Sequence, residues 1–181
     1  MDDNIHMQAV IAGHIDRLGI LYEKYKEPLF SYFFKVTRGD QSTAEDLVQT
    51  VFHRVLKYKQ RYSGSGNFGS WLFSIARNCG IDYHRNKHYL YNIDQCPNQF
   101  MGTGDTEESI LRMEQISTLY HALDQLKPNE KEVLVLGKIN ELKYKDIADI
   151  LDCSESAVRV RIFRALQKLK EVYLKLELAG K

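Results

Sequence analysis

The sequence is poor in cysteine, in net charge and in long apolar runs, and each shortage excludes a class of protein. Its three cysteines, at positions 79, 96 and 153, are odd in number and widely spaced, which favours reduced thiols over a disulfide framework. With 25 Lys plus Arg against 24 Asp plus Glu, the formal net charge is only +1. That is too small for a protein that coats nucleic acid by charge alone, so any such binding must come from local patches.

The chain also lacks the segments that insertion into a membrane requires. No apolar run approaches the roughly 20 residues needed to cross a bilayer, and the N-terminal MDDNIHMQAV is acidic and has no signal-peptide core. We therefore expect a cytoplasmic protein with no membrane insertion. No segment alternates apolar and polar residues for long enough to build a sheet, so the expected fold is all-α.

The stretch from Tyr144 to Leu169 has the pattern of two helices joined by a very short turn. A left-handed residue would suit the turn at Asp152-Cys153, and the Ser154 hydroxyl can cap the second helix. That helix carries apolar residues at spacings of three and four, with arginines on its other faces. The pattern predicts a helix-turn-helix, whose second helix enters the major groove of DNA. An ordinary helical hairpin with a solvated basic face is the alternative.

The N-terminal half predicts further helices. Residues 1–17 carry little pattern and are expected to be a partly ordered lead-in. Helical spacing begins at Leu18, and Pro28 is expected to kink or restart that helix. Thr43, three residues before Asp46, is a capping-box candidate for the next helix, whose outer face begins with acidic and polar side chains.

A loop rich in serine and glycine then precedes a helix that mixes aromatic and basic residues. Residues 57–67, KYKQRYSGSGN, are predicted to be a loop, because serine and glycine lower helix stability. The following segment, FGSWLFSIARNCGIDYHRNKH, resumes helical spacing and ends in basic residues. Cations for phosphates beside rings for unstacked bases are the ingredients of single-strand binding. The same rings could instead fill a helical core.

Turn residues and lost periodicity mark residues 91–106 as an interdomain linker. We therefore predict two small helical bundles joined by a flexible linker. The boundaries are a lead-in at 1–17, a first domain at 18–90, the linker, and a second domain at 107–181 that contains the helix-turn-helix.

Four blocks stand in a defined order along the chain. They are AEDLVQTVFHRV (44–55), FGSWLFSIARNCGIDYHR (68–85), LKPNEKEVLVL (126–136) and YKDIADILDCSESAVRVRIFRALQKL (144–169). Together they resemble the bacterial RNA polymerase sigma factors of the extracytoplasmic-function (ECF) group in the sigma-70 family. The resemblance implies a transcription initiation factor with no catalytic activity, no cofactor and no metal of its own. Sigma region 2 corresponds to the first domain and region 4 to the second.

The resemblance also implies partners. Core RNA polymerase is contacted through the clamp helices of its largest subunit and through its flap, promoter DNA is the second partner, and an anti-sigma factor is the third. The positions that match the family's clamp-binding face are Asp46, Gln49 and Phe52.

The family's second region melts the −10 promoter element and captures a non-template base that has left the stack. Extruding a base costs a few kcal/mol, which stacking and edge hydrogen bonds in a pocket can return. The matching positions are Ser63, Gly64, Ser65, Gly66, Asn67, Phe68, Arg77, Asn78, Asp82, Tyr83 and Arg85.

The family's fourth region inserts its recognition helix into the −35 element as duplex. Arginine can pair bidentately with guanine, and apolar atoms can touch a thymine methyl group, while residues at the start of the supporting helix suit phosphates. The matching positions are Lys143, Tyr144, Lys145, Ser156, Ala157, Arg159, Val160, Phe163 and Arg164.

Two other readings compete. A two-domain helix-turn-helix regulator that does not initiate would need the same C-terminal motif, but it gives no reason for the blocks before it. The second is an enzyme or metal protein, suggested by Cys79, His84, His88 and Cys96, with the two histidines at i, i+4. The spacing of Cys79 from His84 is poor for one helix face, which argues against the metal protein.

Overall fold

The structure, a computed structural model, describes residues 2–90 and 107–179, without the side chains of 86–90 and 107–113. These residues form eight α-helices and contain no β-strand, which confirms the expected all-α class. The helices are α1 (Asp3–Ile11), α2 (Arg17–Val36), α3 (Gln41–Tyr58), α4 (Phe68–Leu90), α5 (Glu107–Asp124), α6 (Pro128–Leu134), α7 (Tyr144–Leu151) and α8 (Glu155–Ala179).

The N-terminal lead-in is more ordered than its sequence pattern predicts. The Asp2 carboxylate accepts from the Asn4 amide at 3.0 Å and caps α1. Met7 and Val10 have no exposed surface, and they belong to the same core as α2, α3 and α4. Residues 3–11 are therefore a structural helix of the first bundle, which its N-terminal cap and two buried apolar side chains hold in place.

Two local expectations for α2 and α3 also change. One continuous helix runs from Arg17 through Pro28 to Val36, so Pro28 does not restart it. The cap of α3 is Asp40 rather than Thr43: its carboxylate accepts from the Thr43 amide at 3.1 Å and from the Thr43 hydroxyl at 2.6 Å. Arg38 and Gly39, both with positive φ, make the tight reversal before it.

A cluster of aromatic rings packs beneath the loop between α3 and α4. Tyr62 and Phe68 are buried, and the ring of Tyr62 lies 5.8 Å from that of Phe68 and 5.0 Å from that of Trp71. Tyr25 of α2 closes the cluster, edge-on to Phe68 at 5.6 Å. These contacts support the core interpretation of the rings, and they are typical of aromatic pairs in protein interiors.

The second bundle contains the predicted helix-turn-helix. Asp152 ends α7 in the left-handed conformation at φ 49°, and the Ser154 hydroxyl accepts from the Ala157 amide at 3.2 Å at the start of α8. Before α7, residues 135–139 form a π-helical turn. Gly137 in that turn lies so close to α8 that a Cβ would stand 2.8 Å from Ile162 Cδ1.

The two bundles pack directly against each other, and their buried side chains form one continuous core. The sequence predicted two helical bundles but not this contact. Residues 91–106, the predicted linker, lie outside the described residues. Among the helices that the structure describes, none is long and apolar enough to span a bilayer.

Candidate nucleic-acid and polymerase interfaces

One face of α8 presents the predicted −35 residues to solvent. Val158, Ile162 and Ala165 are buried against the rest of the bundle, so the opposite face must point outward. Phe163 is 60% exposed and Val160 46%, so this face carries apolar surface beside its arginines. The other exposed members are Ser156, Arg159 and Arg164, with Ala157 half-buried beside them.

The start of α7 lies next to that face. The guanidinium of Arg159 stands 5.7 Å from the ring centroid of Tyr144, a cation–π contact between the two helices. Lys143 and Lys145, on either side of Tyr144, are exposed. The structure therefore places the start of α7 beside the exposed face of α8 that carries the other predicted −35 residues.

The predicted −10 loop is exposed at its tip and buried at its end. Ser63, Ser65, Gly66 and Asn67 are exposed and Gly64 is half-buried, and the Ser63 and Ser65 hydroxyls lie 2.7 Å apart. Phe68, in contrast, has no exposed surface. Its predicted place in the site is corrected: it begins α4 inside the core, where it can shape the loop but not touch a base.

Three of the predicted −10 residues on α4, Arg77, Asp82 and Arg85, form ion pairs. Asp82 accepts from Arg54 at 2.9 Å and from Arg85 at 3.2 Å, and this bond to Asp82 raises the pKa of Arg54. Arg77 forms its ion pair with Glu132 of the second bundle. Asn78 is exposed and Tyr83 half-buried. Arg54 was missed from sequence because only the packing of α3 on α4 places it beside Asp82.

The predicted polymerase face of α3 holds two of its three residues. Asp46 and Gln49 are exposed, three residues apart on one side of the helix. Phe52 is only 6% exposed, and its ring packs edge-on against Tyr22 at 5.0 Å. Phe52 is therefore corrected to a core residue, because α2 covers the side of α3 that carries it.

Polar contacts between the bundles engage residues near both predicted DNA surfaces. The Asp146 carboxylate of α7 accepts from the side-chain amide of Asn67 at 3.1 Å and from the Ser70 hydroxyl at 2.9 Å. Arg77 of α4 donates to Glu132 of α6 at 2.8 Å. The sequence offered no signal for these pairs, since the partners are 55 or more positions apart.

Lys35 is a further interdomain contact that sequence reasoning missed. Its ammonium group donates to the Tyr120 hydroxyl and lies 3.8 Å from the centroid of the Tyr120 ring. Burial, together with the nearby charge of Lys131, lowers the pKa of Lys35 to about 8. The surroundings of Lys35 therefore disfavour its charged form.

The residues of the metal-protein reading are not assembled where the structure shows them. Cys79 is buried, and burial raises the pKa of its thiol, while His84 is exposed. The His88 side chain and Cys96 lie outside the described residues. Within the part of the chain that the structure describes, no three His, Cys, Asp or Glu side chains stand together as metal ligands.

Each of the two bundles matches one region of a known protein family. The family model for Sigma-70 region 2 matches residues 21–88, and the family model for Sigma-70, region 4 matches residues 116–169. The two matches stand in the order of the quoted sequence blocks and leave the predicted linker between them.

Curated relatives agree with this assignment, and a solved structure has a similar fold. The RNA polymerase sigma factor YlaC of Bacillus subtilis strain 168 is 32% identical over 161 residues, which is 87% of this chain and 92% of that protein. The ECF RNA polymerase sigma factor SigM of the same organism is 30% identical over 155 residues, covering 84% and 93%. A similar fold occurs in CnrH, solved in complex with the cytosolic domain of CnrY, with a TM-score of 0.70, 22% identity and coverage of 94% and 96%.

Proposed function

Since the chain belongs to the sigma-70 family of bacterial RNA polymerase sigma factors, in its ECF group, we propose that it reads the −35 element as duplex and the −10 element as a melted single strand. Its function in transcription initiation through RNA polymerase follows from the family. Such a factor regulates initiation and is not a catalyst, so RNA synthesis belongs to the polymerase.

The observation that carries the −35 proposal is the exposed face of α8. Two arginines flank an exposed phenylalanine and valine, which matches the mix of bidentate donors and apolar atoms that reads base edges in the major groove. Lys143, Tyr144 and Lys145 then contact phosphates and set the register of the helix.

The −10 proposal rests on the loop 63–67 and the adjoining face of α4. The loop tip offers hydroxyls and one amide, groups that can hydrogen-bond the edge of a flipped base. Arg77 and Arg85 contact phosphates, Asn78 and Tyr83 contact the strand, and Asp82 orients Arg85 through their ion pair. Base capture makes melting sequence-selective without ATP.

Core polymerase is the partner on the α3 face, where Asp46 and Gln49 meet basic clamp residues, and the second domain meets the flap. We further propose an anti-sigma factor as an inhibitory partner and a cytoplasmic place of action. Two proteins of similar fold, CnrH and the sigma factor RpoE of Bartonella quintana, were solved in complex with the cytosolic domain of CnrY and with the anti-sigma factor NepR, respectively.

Run-off transcription on genomic fragments tests the proposed function. We expect transcripts from a defined set of fragments when the protein is added to core polymerase, and none from core polymerase alone. The rival regulator is distinguished by a pull-down on core enzyme. Retention on promoter duplex but never on core enzyme would favour a regulator that does not initiate.

Replacing Arg159 or Arg164 by alanine should lower discrimination between the cognate −35 element and a mutated one by about 1–3 kcal/mol, the contribution of a bidentate arginine–guanine pair. Competition in run-off transcription between the two templates measures it. Arg161→Ala is the matched control, since Arg161 is an exposed arginine of the same helix outside the predicted set. Equal loss on both templates would reduce the residue to a phosphate contact.

A further inference from the structure

Helix α1 packs against the core-facing side of the −10 loop, residues 63–67. The Tyr62 hydroxyl, just before the loop, donates to Asn4 Oδ1. Gln8, one turn along α1, lies against Gly64, where an added Cβ would stand 2.6 Å from Gln8 Nε2. Gly64 has φ +72°, so the loop passes α1 in a backbone conformation that favours glycine.

The far end of the loop is held by the same helix through Tyr25. Asp3 of α1 accepts from the Tyr25 hydroxyl at 2.6 Å and from the Lys24 ammonium group at 2.6–2.7 Å. Tyr25 in turn packs on Phe68, the first residue after the loop. Burial and the bond to Asp3 raise the pKa of Tyr25.

The helix that makes these contacts is itself rigidly placed. Met7 and Val10 are fully buried and His6 is 5% exposed. The Lys59 ammonium group, on the turn that leads into the loop, donates to the Val10 carbonyl at 3.2 Å near the C-terminal end of α1. One face of α1 is thus fixed in the core while Asn4 and Gln8 face the loop.

We infer that α1 is a positioning element for −10 recognition, with Asn4 and Gln8 as the residues that hold the loop in the shape that captures a flipped base. The inference rests on the proposed function of the loop. Its physical basis is preorganisation: a loop already ordered on its inner side loses less conformational entropy when its outer side binds a strand. The bases themselves touch the loop tip and not α1.

The inference is tested in holoenzyme made with core polymerase. The probe is a labelled single strand that carries the non-template −10 sequence of a promoter found by run-off transcription, compared with a scrambled strand. Asn4→Leu removes the acceptor and Tyr62→Phe removes the donor of the same bond. We expect each to weaken binding of the −10 strand about three- to tenfold, while binding to core polymerase and to −35 duplex stays unchanged.

Two further variants separate positioning from stability. Asn4→Asp keeps an acceptor oxygen and should retain −10 binding. The double variant Asn4→Leu/Tyr62→Phe should be no weaker than Tyr62→Phe alone, because Tyr62→Phe already removes the bond to Asn4 together with the 3.5 Å bond to the Gly66 carbonyl. A lowered Tm with unchanged −10 affinity in the folded variants would overturn this inference but leave the proposed function standing. If wild-type holoenzyme does not distinguish the −10 strand from the scrambled one, the proposed function fails and the inference fails with it.

Discussion

Replacing Asp46 by arginine is expected to abolish most run-off transcription by weakening binding to core RNA polymerase at least about 30-fold. Asp46 is exposed on α3 in the free protein, so the substitution costs the fold little. In the proposed complex its carboxylate meets basic clamp residues in a partly desolvated setting. Losing one partner of such a hydrogen-bonded pair costs about 2–5 kcal/mol, and the new arginine adds like-charge repulsion.

The matched control is Asp16→Arg, the same change of charge at an exposed position before α2. Fluorescence anisotropy with labelled protein and core enzyme measures affinity, and thermal melting verifies that both variants fold. We expect Asp16→Arg to bind like wild type. An affinity unchanged by Asp46→Arg would remove this face of α3 from the polymerase interface.

The packed arrangement of the bundles is too compact for the proposed reading of both promoter elements at once. The −35 and −10 elements are centred about 25 base pairs apart, which is roughly 85 Å along B-DNA at about 3.4 Å per pair. A compact chain of this length is only about 40 Å across, and Asn67 and Asp146 here lie 3.1 Å apart. If the chain reads both elements as proposed, the bundles must separate before a promoter is bound. Sixteen linker residues, fully extended, span roughly 54 Å.

Glu132→Arg should open the packed arrangement and raise the apparent affinity for core polymerase about tenfold. The substitution removes the acceptor of the 2.8 Å bond from Arg77 and places two guanidinium groups together. A charge-assisted hydrogen bond contributes about 1.5–3 kcal/mol, and partial exposure of this pair favours the lower end. Because only the open form binds in this scheme, apparent affinity rises with the open fraction.

Small-angle scattering measures the opening directly, as an increase in radius of gyration above the roughly 16 Å of a compact chain. The control is the swapped pair Arg77→Glu with Glu132→Arg, which restores the attraction and should restore both the compact size and the wild-type affinity. Polymerase affinity is the appropriate readout because Arg77 is proposed to contact DNA and not polymerase. A radius and an affinity that Glu132→Arg leaves unchanged would show that this ion pair does not hold the bundles together.

Several features of the fold were predictable because they depend on residues close in sequence. The helical spacing of α3, α4 and α8, the left-handed Asp152 and the Ser154 cap are local, and each was expected from its own segment. The order of four sequence blocks also identified the family. What failed locally was the weakest pattern: α1 offers only two buried apolar side chains, and the cap of α3 shifted to Asp40.

Burial of individual candidates could not be predicted in the same way. Phe52 and Phe68 were both expected at interfaces, and both are core residues. A helical stripe tells which residues share a face, but the width of the buried face depends on which helices cover it. Here α2 covers Phe52 through Tyr22 and Phe68 through Tyr25.

The sequence by itself determined an all-helical chain with a helix-turn-helix, its family and the segments that carry its candidate surfaces, because periodicity, capping and motif order are encoded over short stretches. Only the tertiary structure decided that the bundles pack together, that Arg77 meets Glu132 and Asp146 meets Asn67, and that α1 packs against the loop at residues 63–67. Those contacts join side chains that are far apart along the chain, and no local pattern specifies which distant side chain a polar group will meet.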